Sequence, residues 1–248
     1  TARQGKPHTK LFQEERERLV LLAVDYRRPM FFATRGSFKA VQASKLAALL
    51  AWQSLEQGDR VGAFLFSEER QCELRPQLGK AGVLNLLRQM VADPAWHRPQ
   101  HQPFEPRQRL AQTLMRLRRV ARPGSLIFVL SDFYAMDDTS GKHLQYLRRH
   151  NDVLAVQIVD ALELAPPPPG LYGVTDGVNT GILDLLSRTR QDACSEYLAR
   201  HHRQIREQMR QRAINLLQLN TADEVSGKLR LGLAGISSRA APVAEKVA

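Results

Sequence analysis

The sequence predicts an α/β fold in which a mainly parallel central sheet, with one antiparallel edge strand, lies between helices on both faces. Continuous apolar runs, which are typical of strands buried on both faces, recur along the chain at residues 19–24, 59–67, 123–133 and 152–160. Segments with helical periodicity separate these runs, and this alternation favours parallel pairing. A further run, residues 71–76, alternates in polarity and ends at a proline, which indicates an edge strand.

The helices and the remaining elements follow in chain order. The first helix is predicted over residues 37–57, because Ser37 suits an N-cap and Gly58 suits a stop. Further helices are predicted at residues 80–91, 109–121, 143–150 and 188–212, of which the second and the last are strongly basic. Residues 171–186 follow the proline run 166–169 and contain DG and NTG turns, so we expect a hairpin there.

The domain organisation is predicted to be simple. We interpret residues 1–18 as an N-terminal arm, the tail of a longer segment absent from this chain, because the chain begins at Thr1 without an initiator methionine. Residues 19–221 are predicted to form one domain, which includes the proline run with its hairpin (166–186) and the basic helix (188–212). Residues 222–248 are interpreted as a C-terminal tail.

Composition limits the class of protein and its compartment. The formal charge of +11 favours acidic partners, although solvated arginines on helix faces would produce the same charge. Cys72 and Cys194 lie far apart without metal-ligand spacing, which favours a reducing compartment. No apolar run approaches the roughly 20 residues of a membrane helix. We therefore expect a cytoplasmic protein, with a membrane anchor upstream of Thr1 as the alternative.

Candidate site residues come from the ends of the strands. The carboxyl ends of parallel strands form one crevice, so Asp25, Asp132 and Asp160 are expected along the same edge of the sheet. No Ser/His/Asp order, nucleophile elbow, Walker A run or glycine-rich dinucleotide motif accompanies them. We therefore expect a protein without catalytic activity.

Three stretches carry a family resemblance: "FQEERERLVLLAVDYRRPMFF", "KAVQASKLAALLAWQSLEQGDRVGAFLFSE" and "SLIFVLSDF". Together they resemble the von Willebrand factor A-like domain of the proteins called domain of unknown function fifty-eight. The resemblance covers Thr1 to about Thr221. It implies a von Willebrand factor A-like fold and, because these proteins occur in bacteria beside MoxR-type AAA+ ATPases, an ATPase of that type as the partner.

The resemblance also implies a metal-ion-dependent adhesion site at the strand ends. Such a site typically has an Asp-x-Ser-x-Ser motif, a threonine from a second loop and an aspartate from a third, whose oxygens suit Mg²⁺. Here Asp25 matches the first aspartate and Asp132 the last one, but Arg27 and Pro29 stand at the two serine positions. The stretch "FEPRQRL" offers no threonine. We therefore expect a degenerate site without Mg²⁺ or any other cofactor.

The cations beside Asp25 suggest a hypothesis. Two carboxylates facing each other need a compensating positive charge, and Arg27 or Arg28 could supply it by bridging Asp25 and Asp132. The alternative is that both arginines point to solvent and that Asp25 only caps a turn.

The function predicted is a non-enzymatic protein-interaction or adaptor module that acts with a MoxR-type ATPase. Its contact surface would be the rim formed by Asp25, Arg27, Arg28 and Asp132. One alternative is nucleic-acid binding by a basic helix face that contains Arg200, Arg203, Arg206 and Arg210. The second is a von Willebrand A domain that captures its ligand through a metal.

Overall fold

The computed structural model describes residues 17–98, 106–134, 136–175 and 179–230, with only the backbone for residues 106–109. The predicted N-terminal arm lies outside the described residues except for Glu17 and Arg18. The turn of the predicted hairpin, at residues 176–178, and the end of the predicted tail, from residue 231, also lie outside them.

The central sheet has six strands in the order β3, β2, β1, β4, β5, β8. Every neighbouring pair is parallel except β2 with β3, which is antiparallel. The strands in chain order are β1 (Leu19–Asp25), β2 (Arg60–Phe66), β3 (Gln71–Leu78), β4 (Leu126–Ser131), β5 (Asp152–Val159), β6 (Leu171–Thr175), β7 (Thr180–Asp184) and β8 (Asn215–Asn220). The predicted α/β class, with one antiparallel edge strand, is confirmed.

The helices are α1 (Lys39–Glu56), α2 (Lys80–Val91), α3 (Pro106–Val120), α4 (Asp138–His150), α5 (Ala161–Leu164) and α6 (Arg188–Gln211). Three predicted starts were wrong. Helix α3 begins at Pro106, three residues before the predicted start. Helix α1 begins two residues after Ser37, at a cap residue, Phe38, that makes no side-chain capping bond. Helix α4 begins five residues before the predicted start, because the carboxylate of Asp137 accepts a hydrogen bond from the amide of Ser140 and caps it.

The core has two parts because the side chains of a strand alternate between the faces of the sheet. Val20, Leu22 and Val24 of β1 pack against α1 and α2 on one face. Leu21 and Ala23 pack against α3, α4 and α6 on the other face. The continuous apolar run of β1 therefore reflects helices on both sides of the sheet, as predicted.

Residues that follow β8 contribute to the first of these core parts. Residues 225–230 are helical, and Val225 and Leu229 are buried in the cluster beneath α1. Strand β8, in which the sequence indicated only a short apolar run, pairs with β5 and forms the second edge of the sheet. The packed domain thus continues beyond Thr221, where the predicted tail begins.

The predicted hairpin forms a separate two-stranded sheet of β6 and β7. Leu171 and Ile182 are exposed on it, whereas Leu185, which directly follows β7, is buried and anchors its base. None of the described helices is both long enough and apolar enough to cross a membrane.

Candidate functional site at the carboxyl edge

Asp25, Arg27 and Asp132 meet where β1 and β4 end. The backbone amide of Arg27 donates to Asp25 Oδ1 at 2.9 Å, and its Nε lies 2.9 and 3.0 Å from the two carboxylate oxygens. Arg27 Nη2 lies 2.5 Å from Asp25 Oδ2 and 3.8 Å from Asp132 Oδ1. The guanidinium is 1% exposed, so a buried cation faces both carboxylates.

A serine completes the contacts of Asp25. Ser131 Oγ, from the last residue of β4, donates to Asp25 Oδ2 at 2.6 Å and accepts the amide of Phe133 at 3.0 Å. The Arg27 guanidinium also lies 5.7 Å from the ring centroid of Phe66, at the end of β2. Three neighbouring strands of the sheet therefore enclose this ion pair.

A second buried cation lies beside the first. Lys39, the first residue of α1, is fully buried, and its Nζ lies 3.2 Å from Asp132 Oδ2 and 2.6 Å from Glu163 Oε1. The other oxygen of Glu163 accepts the backbone amide of Asp160 in the cap of α5. Charges of alternating sign thus run along the edge from Asp25 through Arg27, Asp132 and Lys39 to Glu163.

These contacts favour the charged forms of Asp132, Lys39 and Arg27. Burial would raise the pKa of Asp132, but the charges of Lys39 and Arg27 outweigh it and hold that pKa below its usual value. Burial would likewise lower the pKa of Lys39, whereas Asp132 and Glu163 raise it above its usual value. The pKa of Arg27 is raised in the same way, mainly by Asp25. Asp132, Lys39 and Arg27 are therefore charged at neutral pH.

Arg28 differs from Arg27 in position. Its backbone amide donates to Glu68 Oε1 at 2.7 Å, and Glu68 Oε2 in turn pairs with Arg98 at 2.6 Å. Arg28 begins a short 3₁₀ turn, Arg28–Met30, that carries the chain away from Asp25. Of the two arginines considered in the hypothesis, the structure brings Arg27 to the two aspartates.

Asp160 lies at the same edge, but its carboxylate connects two segments of the chain by hydrogen bonds. It is fully buried, and its carboxylate accepts the amide and hydroxyl of Thr34 at 2.9 and 2.7 Å and the hydroxyl of Thr221 at 2.7 Å. Its oxygens therefore hold the loop between β1 and α1 against the end of β8.

The residues at the metal-site positions do not fit a divalent cation. Such an ion needs several oxygen ligands in near-octahedral geometry, and arginine and proline supply none at positions 27 and 29. A guanidinium at hydrogen-bond distance from Asp25 also repels a second cation. Among the described residues, no group of three or more His, Cys, Asp or Glu side chains is placed to hold a metal.

Exposed aromatic side chains surround this edge. Phe32, Phe38, Tyr134 and Tyr197 are 41%, 47%, 55% and 60% exposed, and they account for four of the five exposed aromatic residues in the described part of the chain. Tyr134 contacts His201 with the rings tilted by 48° and their centroids 4.9 Å apart, and a hydrogen bond with Tyr197 raises the pKa of Tyr134. We call Phe32, Phe38, Tyr134 and Tyr197 the aromatic rim.

The predicted basic surface lies on α6, the helix that also carries Tyr197. Arg200, Arg203, Arg206 and Arg210 are exposed there, and the opposite face of the helix buries Ile205 and Met209. Arg203 pairs with Glu196 at 2.6 Å and Arg210 with Glu207 at 2.7 Å. Half of the predicted set is therefore neutralised by acids of the same helix.

Sequence reasoning missed Lys39, Glu163, Ser131 and Thr34. Two of them had a signal: Glu163 stands at capping-box spacing from Asp160, and Lys39 opens a helix without an acid in its first turn. A cation at that end opposes the helix dipole and suggests a carboxylate partner from elsewhere in the fold. Thr34 had no comparable signal, because its partner is 126 residues away in sequence.

Comparisons with known proteins give a family and a set of distant structures. The chain matches the family model described as protein of unknown function DUF58 over residues 1–208. No curated protein matches the chain significantly.

Similar solved structures include the SpRpn10 VWA domain, with a TM-score of 0.43 and 8% identity over 94% of this chain and 99% of that one. The manganese-loaded Plasmodium vivax TRAP protein has a TM-score of 0.37 and 11% identity over 75% of this chain and 63% of that one. An uncharacterized membrane spanning protein from Vibrio fischeri has a TM-score of 0.31 and 13% identity over 91% of this chain and 100% of that one. These likenesses are too distant to carry an argument, and the fold class rests on the strand order.

Proposed function

The chain belongs to the family of proteins of unknown function DUF58, and from that premise we propose that it is a non-enzymatic protein-interaction module. We infer that it acts as an adaptor for a MoxR-type AAA+ ATPase in protein assembly or remodelling. The sequence motifs around Asp25 and Asp132 support the partner, because they resemble those of proteins encoded beside such ATPases.

The observation that carries the proposal is the aromatic rim around a charge-compensated edge. Aromatic residues are enriched at protein interfaces, where they supply large contact area. Phe32, Phe38, Tyr134 and Tyr197 leave much of their surface exposed, although burying it would be favourable. A partner protein that covers the carboxyl edge would bury it.

The buried charges support a role without catalysis. A general acid or base needs a pKa near the working pH and access to a substrate. Asp25, Asp132 and Asp160 are nearly or completely buried, and each is engaged by hydrogen bonds or ion pairs. In this proposal they hold the loops of the edge in place.

The proposal also makes binding independent of metal. Arg27 supplies, as part of the chain, the positive charge that a divalent ion would bring to Asp25 and Asp132. This separates the proposal from a von Willebrand A domain that captures its ligand through a metal. The pairing of Arg203 and Arg210 with acids likewise favours protein over nucleic acid as the partner.

The test is a direct binding measurement by biolayer interferometry with a purified MoxR-type ATPase from the same genome. We expect binding in EDTA and in Mn²⁺ with the same affinity. The double substitution Phe38→Ala with Tyr134→Ala should weaken binding by about tenfold or more, because interface aromatics dominate binding energy.

Tyr146→Ala is the matched control, since Tyr146 is exposed but lies on α4 outside the aromatic rim. It should leave the affinity unchanged within about twofold, as expected for a residue outside the contact. Loss of binding in EDTA would instead support metal-dependent capture. Absence of binding under every condition would refute the ATPase as partner.

A further inference from the structure

A large open cleft lies at the amino edge of the sheet, opposite the carboxyl edge. Its volume is about 930 Å³, and its walls come from the starts of β1 and β2, the end of β3 and the turn before β4. None of the residues of the carboxyl-edge site lines it. The proposed function therefore leaves this cleft unexplained.

The cleft combines cations with apolar surface. Among the described residues, the lining contains four arginines and a single acid, Glu17; the arginines are Arg18, Arg60, Arg75 and Arg122. Apolar side chains lie between them: Leu19, Pro76, Val120 and Pro123. Arginines that were only solvated would not need to line one concave surface together with apolar side chains.

Two of the arginines are held by the fold. Arg18 Nε donates to the carbonyl oxygen of Gly124 at 3.0 Å, and its guanidinium pairs with Asp152. Arg60 Nε lies 2.7 Å from Glu17 Oε2. These two cations are partly neutralised and form one wall of the cleft.

The other two, Arg75 and Arg122, are exposed and form no ion pair with any described residue. The backbone that carries them is nevertheless well defined. The ladder between β2 and β3 shifts register between Val61 and Ala63, opposite Arg75 and Pro76, as in a β-bulge. A Cβ on Gly62 would lie 2.9 Å from Pro76 Cγ, so the bulge packs directly on β2.

The turn that carries Arg122 is fixed in a similar way. Ser125 Oγ donates to the carbonyl oxygen of Arg122 at 2.6 Å and accepts its amide at 3.1 Å. Gly124 adopts a φ of +86°, which an L side chain rarely adopts, and closes the turn. Arg75 and Arg122 therefore lie on backbone that the fold holds in place, and neither forms an ion pair with a described residue. Both stand beside the apolar residues of the cleft.

We propose that this amino-edge cleft binds an extended acidic peptide segment of a partner protein. Carboxylates of the segment would pair with the guanidinium groups of Arg75 and Arg122, which suit bidentate contacts. Aliphatic side chains between those carboxylates would lie on Leu19, Pro76 and their apolar neighbours.

Two observations favour this occupant over others. No aromatic residue stands among the described residues that line the cleft, whereas single-stranded nucleic acids are bound largely by stacking on aromatic rings. The chain's own residues 1–16 carry four Lys or Arg and two Glu, a balance that repels a basic cleft. Charge complementarity therefore points to an acidic segment from another protein.

The experiment measures fluorescence anisotropy with the full chain and a short labelled peptide in which glutamate pairs flank single leucines. We expect binding that weakens about tenfold in the double variant Arg75→Gln with Arg122→Gln, because two charge-assisted contacts are lost. The double variant Arg200→Gln with Arg206→Gln removes the same charge from α6 and should change the affinity less than about twofold. Circular dichroism checks that both variants are folded.

The other outcomes overturn the proposal. An equal loss in both double variants would mean attraction by net charge alone, and no binding by the wild-type chain would exclude this class of ligand. Equal binding of a peptide with glutamine in place of glutamate would also contradict the proposal, because the carboxylates are expected to supply the contacts. If a single-stranded oligonucleotide bound the cleft more tightly than the acidic peptide, the cleft would be a nucleic-acid site. No ATPase is present in this assay, so its result is independent of the proposed function.

Discussion

At the scale of single residues, the ion pair of Arg27 with Asp25 stands out because both groups are buried within the sheet edge. Removing a charge from water is costly, and the attraction between the pair offsets that cost only where hydrogen bonds satisfy both partners. Here Ser131 and the backbone amide of Arg27 provide additional hydrogen bonds to Asp25. The pair therefore specifies how the strand ends meet, whatever its net contribution to stability.

Loss of one partner should therefore be more harmful than loss of both. We expect Arg27→Met to lower the free energy of unfolding by about 3–5 kcal/mol at neutral pH, because Asp25 is left as an uncompensated buried charge. The double substitution Arg27→Met with Asp25→Asn should recover part of this loss. Urea unfolding followed by circular dichroism measures both values, and a double variant no more stable than Arg27→Met would contradict the explanation.

The sequence predicted this pairing only as two alternatives. Asp25 and Asp132 could be assigned to one edge because each stands at the end of a buried strand, and the carboxyl ends of parallel strands meet at one edge of the sheet. The choice between Arg27 and Arg28 depended on a turn of three residues, Arg28–Met30, that the sequence did not reveal. Adjacent residues in a turn point in different directions, so identity alone could not separate them.

At the scale of elements, the loop between β1 and α1 positions much of the site. It is held at Thr34 by Asp160 and at Gly36 by close contact with the end of β8. Gly36 has a φ of +77°, and a Cβ there would lie 2.5 Å from the carbonyl oxygen of Thr221. This loop leads directly into α1 and so sets the position of Lys39.

Gly36→Ala should destabilise the protein through both backbone conformation and overpacking. Gly58, at the end of α1, is the control, because its φ is +76° but no atom lies within 4 Å of the added methyl group. Each substitution incurs the left-handed backbone cost of about 1–2 kcal/mol. We expect Gly36→Ala to exceed Gly58→Ala by a further 1–3 kcal/mol, roughly the range for an overpacked site. Equal losses in chemical denaturation would show that the loop can move away from Thr221.

At the scale of the whole molecule, strand β8 and the helix that begins at Val225 close the side of the domain next to β5. Leu219 of β8 joins the same core cluster as Val225 and Leu229. The chain therefore returns to the sheet after the hairpin and α6. The segment assigned to a tail from the sequence begins with residues of the core.

This packing predicts that Leu229 belongs to the cooperative unit. Leu229→Ala should lower the free energy of unfolding by about 2 kcal/mol, the lower end of the range for a buried leucine, because the side chain lies near the surface of the core. Leu84→Ala, at an exposed position of α2, should change it by less than about 0.5 kcal/mol. Thermal unfolding of both variants decides the point, and equal melting temperatures would place residue 229 outside the folded unit.

The sequence by itself determined the fold class, because strands buried on both faces are continuous apolar runs, and their alternation with helices along the chain favours parallel pairing. It also placed Asp25 and Asp132 at one edge, since both follow from where a strand ends. The tertiary structure alone decided which cations meet those acids, the recruitment of β8, and the cleft at the amino edge. Each of these depends on groups far apart in the chain, such as Lys39 and Glu163 or Arg18 and Asp152, and no local pattern records such a distance.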